Sequence, residues 1–512
     1  MAISKQKLAS EDTASLSGYS TPTQDDSTTI TPIVEESYYW EILNIAIPAN
    51  FAIFQWVLFD ITSLYFIGSI GEPILLAAFG VANVLLTVLV VILLGLNSTL
   101  NTLVSQSYGQ HDMEMCRTYI GRGRVVVTLA YLPIAVILMF SNKFFELVNI
   151  DEITNHEATL YVRYSLISIF FHIHFDISRQ ACNSFGQAKQ IMITFLFTIV
   201  FHPVWNYIFI KVLDQRMAGA AMANICSFLL NLIVIHILIS CQKSMKEAFR
   251  WPNGASFKGI LDYVQIGIPS MLMWCLKSWC FQIQILISSF VGPDIAAAQI
   301  IIHSVLRSYY TSTLALQQTS ACLIGQSLGA QNLPKVKVIK SNLMRIGFLL
   351  GFCQMISIYF FGEHIFKFFS NADSVLQTIE SVKLLVSLNI FFDCCQGWIQ
   401  GIIRGFGAQD QTLKLLILVF YGFCLPSQIF MIIQFQMGLT SIWIALLSSM
   451  IILSSYYFYM VNWGLDEDLY AKNISERHLH EKIQLQVRQQ RNINNCCLSL
   501  NMPLVEGNEK QV

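Results

Sequence analysis

The chain has 512 residues, of which 54% are hydrophobic and only 12% charged, with a net charge of −1. Soluble domains carry about 25% charged residues, so this composition leaves too little polar surface to face water on all sides, and lipid must cover much of the molecule. The near-neutral balance argues against nucleic acid, whose phosphates call for a basic partner surface.

In chain order, residues 1–38 are polar and rich in Ser and Thr, with no early apolar core of a signal peptide. This composition predicts a disordered cytoplasmic tail. Apolar runs of about 20 residues, the length that crosses a bilayer as a helix, then fall near 42–67, 73–96, 122–141, 159–181, 190–212 and 217–240. A polar linker at 241–258 follows, then runs near 260–290, 295–322, 343–364, 376–403, 413–434 and 438–461. The predicted organisation is an N-lobe over 39–240, a linker over 241–258, a C-lobe over 259–463 and a cytoplasmic tail over 464–512. The fold class is an all-α integral membrane protein with twelve transmembrane helices in two pseudo-symmetric six-helix lobes.

Basic residues alternate between loops. Arg117, Arg122 and Arg124 follow the second run, and Arg179 and Lys189 are assigned to the loop between the fourth and fifth. Lys243, Lys246, Arg250 and Lys258 occupy the linker, Lys335, Lys337, Lys340 and Arg345 follow the eighth run, and Arg404 and Lys414 flank the loop after the tenth. The intervening loops hold only Lys143, Lys211, Arg216 and Lys367. Positive charge is retained in the cytoplasm, which puts both termini there.

The two halves repeat each other. "LVSQSYGQHDMEMCR" from Leu103 reappears as "LIGQSLGAQNLPKVK" from Leu323, an offset of 220 residues. "IPA" at Ile47–Ala49 matches "IPS" at Ile268–Ser270, "SFGQAKQ" from Ser184 matches "GFGAQDQ" from Gly405, and Gly219 matches Gly438. Six spans per half is an even number, so both halves enter the membrane in the same sense, the parallel repeat of many transporters. Gly109 and Gly329 are expected to let their helices end sharply, with the basic residues that follow on a short amphipathic connector. Pro48 and Pro269 occupy matching places in the first and seventh spans, either to kink the helix as a lobe bends or as static packing.

A charge near mid-membrane costs about 2.5–3.5 kcal/mol on insertion scales and generally faces a cavity or a partner. Lys277 lies mid-span, in a stripe of Trp274, Lys277, Phe281 and Gln284. Asp393, Gln396 and Gln400 form a second stripe, continued by Arg404, and Gln299, His303 and Arg307 a third. Three stripes predict a wet pocket inside the C-lobe; the competing reading is polar packing between helices. The N-lobe offers Asp60 and His172, the latter at the place the repeat assigns to Asp393. The 13 cysteines show no CxxC spacing, so no metal or cofactor is expected, and no nucleophile–base set indicates an enzyme. In the tail, Leu479, Ile483 and Val487 recur at helical spacing and predict a surface helix. Cys496 and Cys497 are palmitoylation candidates.

Several segments resemble the multidrug and toxic compound extrusion (MATE) family, nearer its eukaryotic branch: "TLNTLVSQSYG", "IPSMLMWCLKSWCFQ", "DCCQGWIQGIIRGFGAQDQ" with "VFYGFCLP", and "WIALLSS…VNWGLDEDLYAK". The resemblance spans roughly 41–472 and implies two six-helix lobes that export organic solutes or xenobiotics by alternating access, coupled to protons or sodium. It also adds Tyr421, within "VFYGFCLP", to the cavity candidates. The sequence departs from the family at the coupling site. Where plant-type relatives carry a Glu on the seventh helix that pairs with an Asp on the tenth, this chain has Lys277; a second common Glu position is Gln282, and the Asp matches as Asp393. The acid of bacterial relatives on the first helix falls at Ser63, with Asp60 one turn away. The expected partners are a small organic solute, H+ or Na+, and membrane lipid, with a monomer in the plasma membrane or a vacuolar or lysosomal-type membrane. The alternative is a lipid-linked substrate flippase on a related two-lobe plan.

Overall fold

The computed structural model describes residues 32–499 except Trp251, Asn253, Ser370 and Asn371, without the side chains of 32–37, Ser244 and 488–499. The acidic and Ser/Thr-rich segment 8–31, and the side chains of Cys496 and Cys497, therefore lie outside the described residues. Contacts divide the chain between Glu41 and Ile42, and the body described below is Ile42–Val512.

Among the described residues, twelve long helices make up this body, the first of them entering it from Pro32. The first six are α1 (Pro32–Gly68), α2 (Pro73–Gly109, with a break at Ser98–Thr99), α3 (Met113–Met139), α4 (Glu152–Ser184), α5 (Ala188–Val212) and α6 (Arg216–Ser240). The second six are α7 (Ile260–Val291), α8 (Pro293–Gly329), α9 (Leu333–Lys367), α10 (Asp373–Phe406), α11 (Gln409–Phe435) and α12 (Leu439–Gly464). A further helix, α13 (Glu467–Ser499), occupies the tail. Ten of the twelve are long and apolar enough to cross a membrane on composition alone. The other two, α4 and α8, fall short because their buried faces carry Asp176, Arg179 and Gln180 in one and Gln317 and Gln318 in the other. The first helix begins at Pro32, earlier than the predicted end of a disordered tail at residue 38.

The repeated motif builds the same turn twice. His111 and Gln331 adopt left-handed backbone, with φ of 58° and 55°. The next residues, Asp112 and Asn332, cap α3 and α9: their side-chain oxygens accept from the backbone N–H groups of Met115 and Lys335 at 3.0 and 3.1 Å. Two expectations change here. The residues that turn the chain are His111 and Gln331, not Gly109 and Gly329. There is also no separate connector, because Arg117, Arg122 and Arg124 lie in the first turns of α3.

Gly109 and Gly329 serve packing instead. A Cβ on Gly109 would stand 2.1 Å from the carbonyl oxygen of Gln326, and one on Gly329 would stand 2.1 Å from that of Gln106. The two copies of the motif thus press backbone to backbone where the lobes meet, a contact that only glycine permits. This end of the molecule, which carries the repeated loops, is called the loop face below.

The tail helix crosses the loop face and holds both lobes. On the N-lobe, Glu481 pairs with Arg122 at 2.8 Å, both nearly buried, and Lys482 and His478 reach Asp112 at 2.8 and 3.1 Å. On the C-lobe, Glu467 pairs with Lys340 at 2.6 Å and Ser475 accepts from Gln331 at 2.8 Å. Its charged face is turned inward, while Leu479, Ile483 and Val487 are exposed.

Candidate functional site

A cavity of about 450 Å3 lies between the lobes, with walls from α1, α2, α4 and α6 on one side and α7, α8 and α10 on the other. It is therefore an interlobe cavity, not the pocket within the C-lobe that the polar stripes predicted. Toward the loop face it reaches Gln400 and Arg404; farther along it reaches Asp60 and Arg307, whose side chains are each 51% exposed.

The loop-face end is closed by hydrogen bonds that repeat across the lobes. Gln106 donates from Nε2 to the carbonyl of Gly405, and Gln326 donates from Nε2 to the carbonyl of Ser184, each at 2.8 Å. Both acceptors lie in the last turn of a helix, α10 or α4, where carbonyls lack intrahelical partners. Each lobe thus satisfies the end of a helix in the other. Thr102 adds a bond to the carbonyl of Arg404 at 2.8 Å, and Arg179 donates to Gln318 at 2.8 Å.

Two ion pairs stand in the cavity wall. Lys277 Nζ on α7 lies 2.5 Å from Asp393 Oδ1 on α10 and 3.0 Å from Gln396 Oε1, and 4.5 Å from the centre of the Tyr310 ring. Asp60 on α1 and Arg307 on α8 form the other, which crosses between the lobes. Both acids of the cavity therefore face a cation.

The remaining sequence candidates divide. His172, Gln282, His303 and Gln400 line the cavity. His172 is stacked on Phe228 with ring centres 4.3 Å apart and has Trp56 at its edge, with Asp176 one turn farther along α4. Gln284, Gln299, Gln396 and Tyr421 do not line it. Gln284 donates to Gln428 at 3.3 Å between α7 and α11, Tyr421 donates to the carbonyl of Leu276 at 3.0 Å, and Gln396 supports Lys277 from behind. Gln299 is fully buried with no described partner for its amide. Stripes at i and i+4 put polar groups on one face of a helix, but here that face is split between the cavity and the neighbouring helix.

Two polar clusters escaped the sequence reading. Arg179, expected in a loop, is 1% exposed within α4 and pairs with Asp176, from Nη2 to Oδ1, at 2.7 Å. Asn97 donates to the other oxygen of Asp176 at 3.0 Å, and the Arg179 guanidinium lies 5.3 Å from the Trp56 ring. The i, i+3 spacing of Asp176 and Arg179 could have revealed the pair. The second cluster joins α1, α5 and α6: Gln55 donates to Thr198 at 2.9 Å and to Asn231 at 3.1 Å, and His202 meets Ser227 at 2.8 Å and Ser63 at 3.4 Å. Among the described residues no group of three or more His, Cys, Asp or Glu could hold a metal ion.

The comparisons follow the same two-lobe division. The MatE family model matches residues 48–208 and again 269–431, once in each lobe. Multidrug and toxin extrusion protein 1 of Xenopus tropicalis is 22% identical over 440 residues, covering 85% of this chain and 77% of its own. Protein DETOXIFICATION 14 of Arabidopsis thaliana is 24% identical over 401 residues, covering 76% and 80%. Among solved structures, the eukaryotic MATE transporter AtDTX14 superposes with a TM-score of 0.81 at 20% identity, over 86% of this chain and 99% of that one. The bent form of the Vibrio cholerae MATE transporter VcmN gives 0.75 at 17% identity, over 86% and 99%. With one copy of the family model on each six-helix lobe and a cavity between them, this chain belongs to the MatE family of integral membrane transporters.

Proposed function

We propose that the protein is a secondary antiporter that exports a small organic solute by alternating access, driven by a proton or sodium gradient. The observation that supports this most is the cavity between the lobes, closed at the loop face by the paired Gln106 and Gln326 contacts. Rocking the lobes apart there exposes the cavity to the opposite side. The basic loops assign that face to the cytoplasm, so the closed contact is an inner gate and both termini are cytoplasmic. The host membrane is the plasma membrane or a vacuolar or lysosomal-type one, and the working unit is a monomer, since each chain carries both lobes. The names of the relatives, multidrug and toxin extrusion and detoxification, agree with export of foreign solutes.

Coupling passes through the two ion pairs in this reading. A proton or sodium ion that binds Asp60 or Asp393 displaces Arg307 or Lys277 from it, which converts ion binding into a change of contact between helices. Solute efflux from proteoliposomes under an imposed pH or sodium gradient tests the proposal. Stimulation by either gradient supports it; a rate indifferent to both sinks it.

A further inference from the structure

We propose that the solute is a soluble organic anion with an aromatic body, and that the Arg404 guanidinium is its principal anchor. This deepens the transport reading, because it assigns a substrate class to the same cavity.

The charges of the wall come first. Lys277, Arg307 and Arg404 line it against only two carboxylates, Asp60 and Asp393. Those two are taken by Arg307 and Lys277. Arg404 is left over. It is 3% exposed, it forms no ion pair among the described residues, and its Nε is buried with no partner. Its guanidinium lies 5.7 Å from the centre of the Trp274 ring. An arginine does not shed its charge in a protein, and a buried charge without a counter-ion is costly. An incoming anion supplies that counter-ion; an incoming cation adds a like charge.

The other buried polar atoms of the wall agree. Among the described lining residues, the buried polar atoms without a protein partner are Trp56 Nε1, Trp274 Nε1, Asn389 Nδ2, Arg404 Nε, Ser165 Oγ and His172 Nε2. The first four can only donate, the last two can donate or accept, and no carbonyl or carboxylate oxygen is among them. Four groups that can only donate, buried at the wall without a partner, suit a ligand that carries acceptor oxygens, a carboxylate, sulfonate or phosphate. Trp56, Trp274, Phe281 and Tyr310 give it flat apolar surfaces, and about 450 Å3 accommodates a drug-sized molecule.

The test is calorimetric titration of the purified full-length chain with two probes of similar shape and opposite charge, naphthalene-1-sulfonate and 1-naphthyltrimethylammonium. The sulfonate should bind at least roughly tenfold more tightly. Arg404→Gln should weaken it by about tenfold to a hundredfold, the loss expected for a charge-assisted hydrogen bond, and leave the ammonium unchanged or tighter. Should Arg404→Gln fail to fold, Trp274→Phe and Asn389→Ala each remove one spare donor and should each weaken the sulfonate several-fold. Equal or tighter binding of the ammonium, or sulfonate affinity unmoved by the variants that fold, overturns the proposal. A lipid phosphate offers the same charge, so farnesyl phosphate is the third probe; its binding without that of the sulfonate overturns a soluble solute. Binding needs no flux, so the two readings separate. Sulfonate bound but never moved by either gradient removes the antiporter reading alone. Ammonium efflux without sulfonate binding removes the anion reading alone.

Discussion

Lys277 Nζ stands 2.5 Å from Asp393 Oδ1, with a side chain 11% exposed against 17% for the aspartate. Two carboxylates at this distance would share a proton readily, because each raises the affinity of the other for it. Here an ammonium stands where the second carboxylate would, and the pair holds one charge of each sign.

Breaking this pair from one side strands a charge. Lys277→Met and Asp393→Asn should each lower thermal stability in detergent, by up to about 3–5 kcal/mol for a buried partner left alone. The double variant should recover part of the loss, because neither charge then remains. Strictly additive losses in the melting series reject a coupled pair. Lys277→Glu should raise pH-gradient-driven efflux, since it returns a second carboxylate beside Asp393.

The pair Asp60–Arg307 behaves differently, because both side chains are 51% exposed. Exposed pairs contribute only about 0–1 kcal/mol. Asp60→Asn should therefore leave the melting temperature nearly unchanged while altering the ion dependence of efflux. A large fall in melting temperature with intact ion dependence shows a purely structural role.

Gly329→Ala places a methyl group 2.1 Å from the carbonyl oxygen of Gln106. Backbone cannot yield there without the lobes parting. Spin labels on the two lobes at the loop face should report a longer distance in this variant, and Gly109→Ala should act alike. Unchanged distance distributions in both refute the gate assignment.

Docking of the tail helix should weaken in acid. Burial lowers the pKa of His478 below its ordinary 6.5, against the raising effects of the Asp112 charge and of its hydrogen bond. The contact survives because a neutral imidazole still donates one N–H to Asp112, 3.1 Å away. A released His478 therefore binds a proton more readily than a docked one. Docking is strongest above pH 6.5 and declines as pH falls below it. Asp112 is desolvated too, but its hydrogen bond from Lys482, the Met115 N–H and the nearby positive charges hold its pKa below the usual 3.8. Its contribution is present above that value and is lost as pH falls lower still. The protection of α13 amides against hydrogen exchange, taken relative to the intrinsic rate at each pH, should fall between pH 7 and 5 in the wild-type chain and much less in His478→Gln; an equal fall in both rejects the assignment.

The twelve-helix body was legible because lipid imposes long apolar runs, and the repeat was legible because each copy needs a Gln and a Gly at the same places, Gln106 and Gly109 or Gln326 and Gly329, to meet the other lobe. Polarity hid part of it. Arg179 reads as a loop residue because basic residues usually mark loops, yet Asp176 and Asn97 neutralise and solvate it inside α4. The cavity candidates were half legible for a similar reason. Periodicity gives the face of a helix, but not which neighbour that face meets, so Gln282 reaches the cavity while Gln284 meets Gln428. Arg404 reads as the end of a stripe, but its lack of an acid partner among the described residues is a fact of three dimensions.

The tail helix is joined to α12 through Leu465 and Asp466 alone and grips both lobes where they must part. It is in effect a tethered ligand of the closed loop face. A short tether holds its local concentration in the millimolar range whatever the amount of protein, so dilution cannot release it and a free copy of the peptide would have to reach about that concentration to compete. Its grip rests largely on charge, which ions screen over about 8 Å at physiological ionic strength. Opening of the loop face should therefore quicken with salt and stay indifferent to protein concentration.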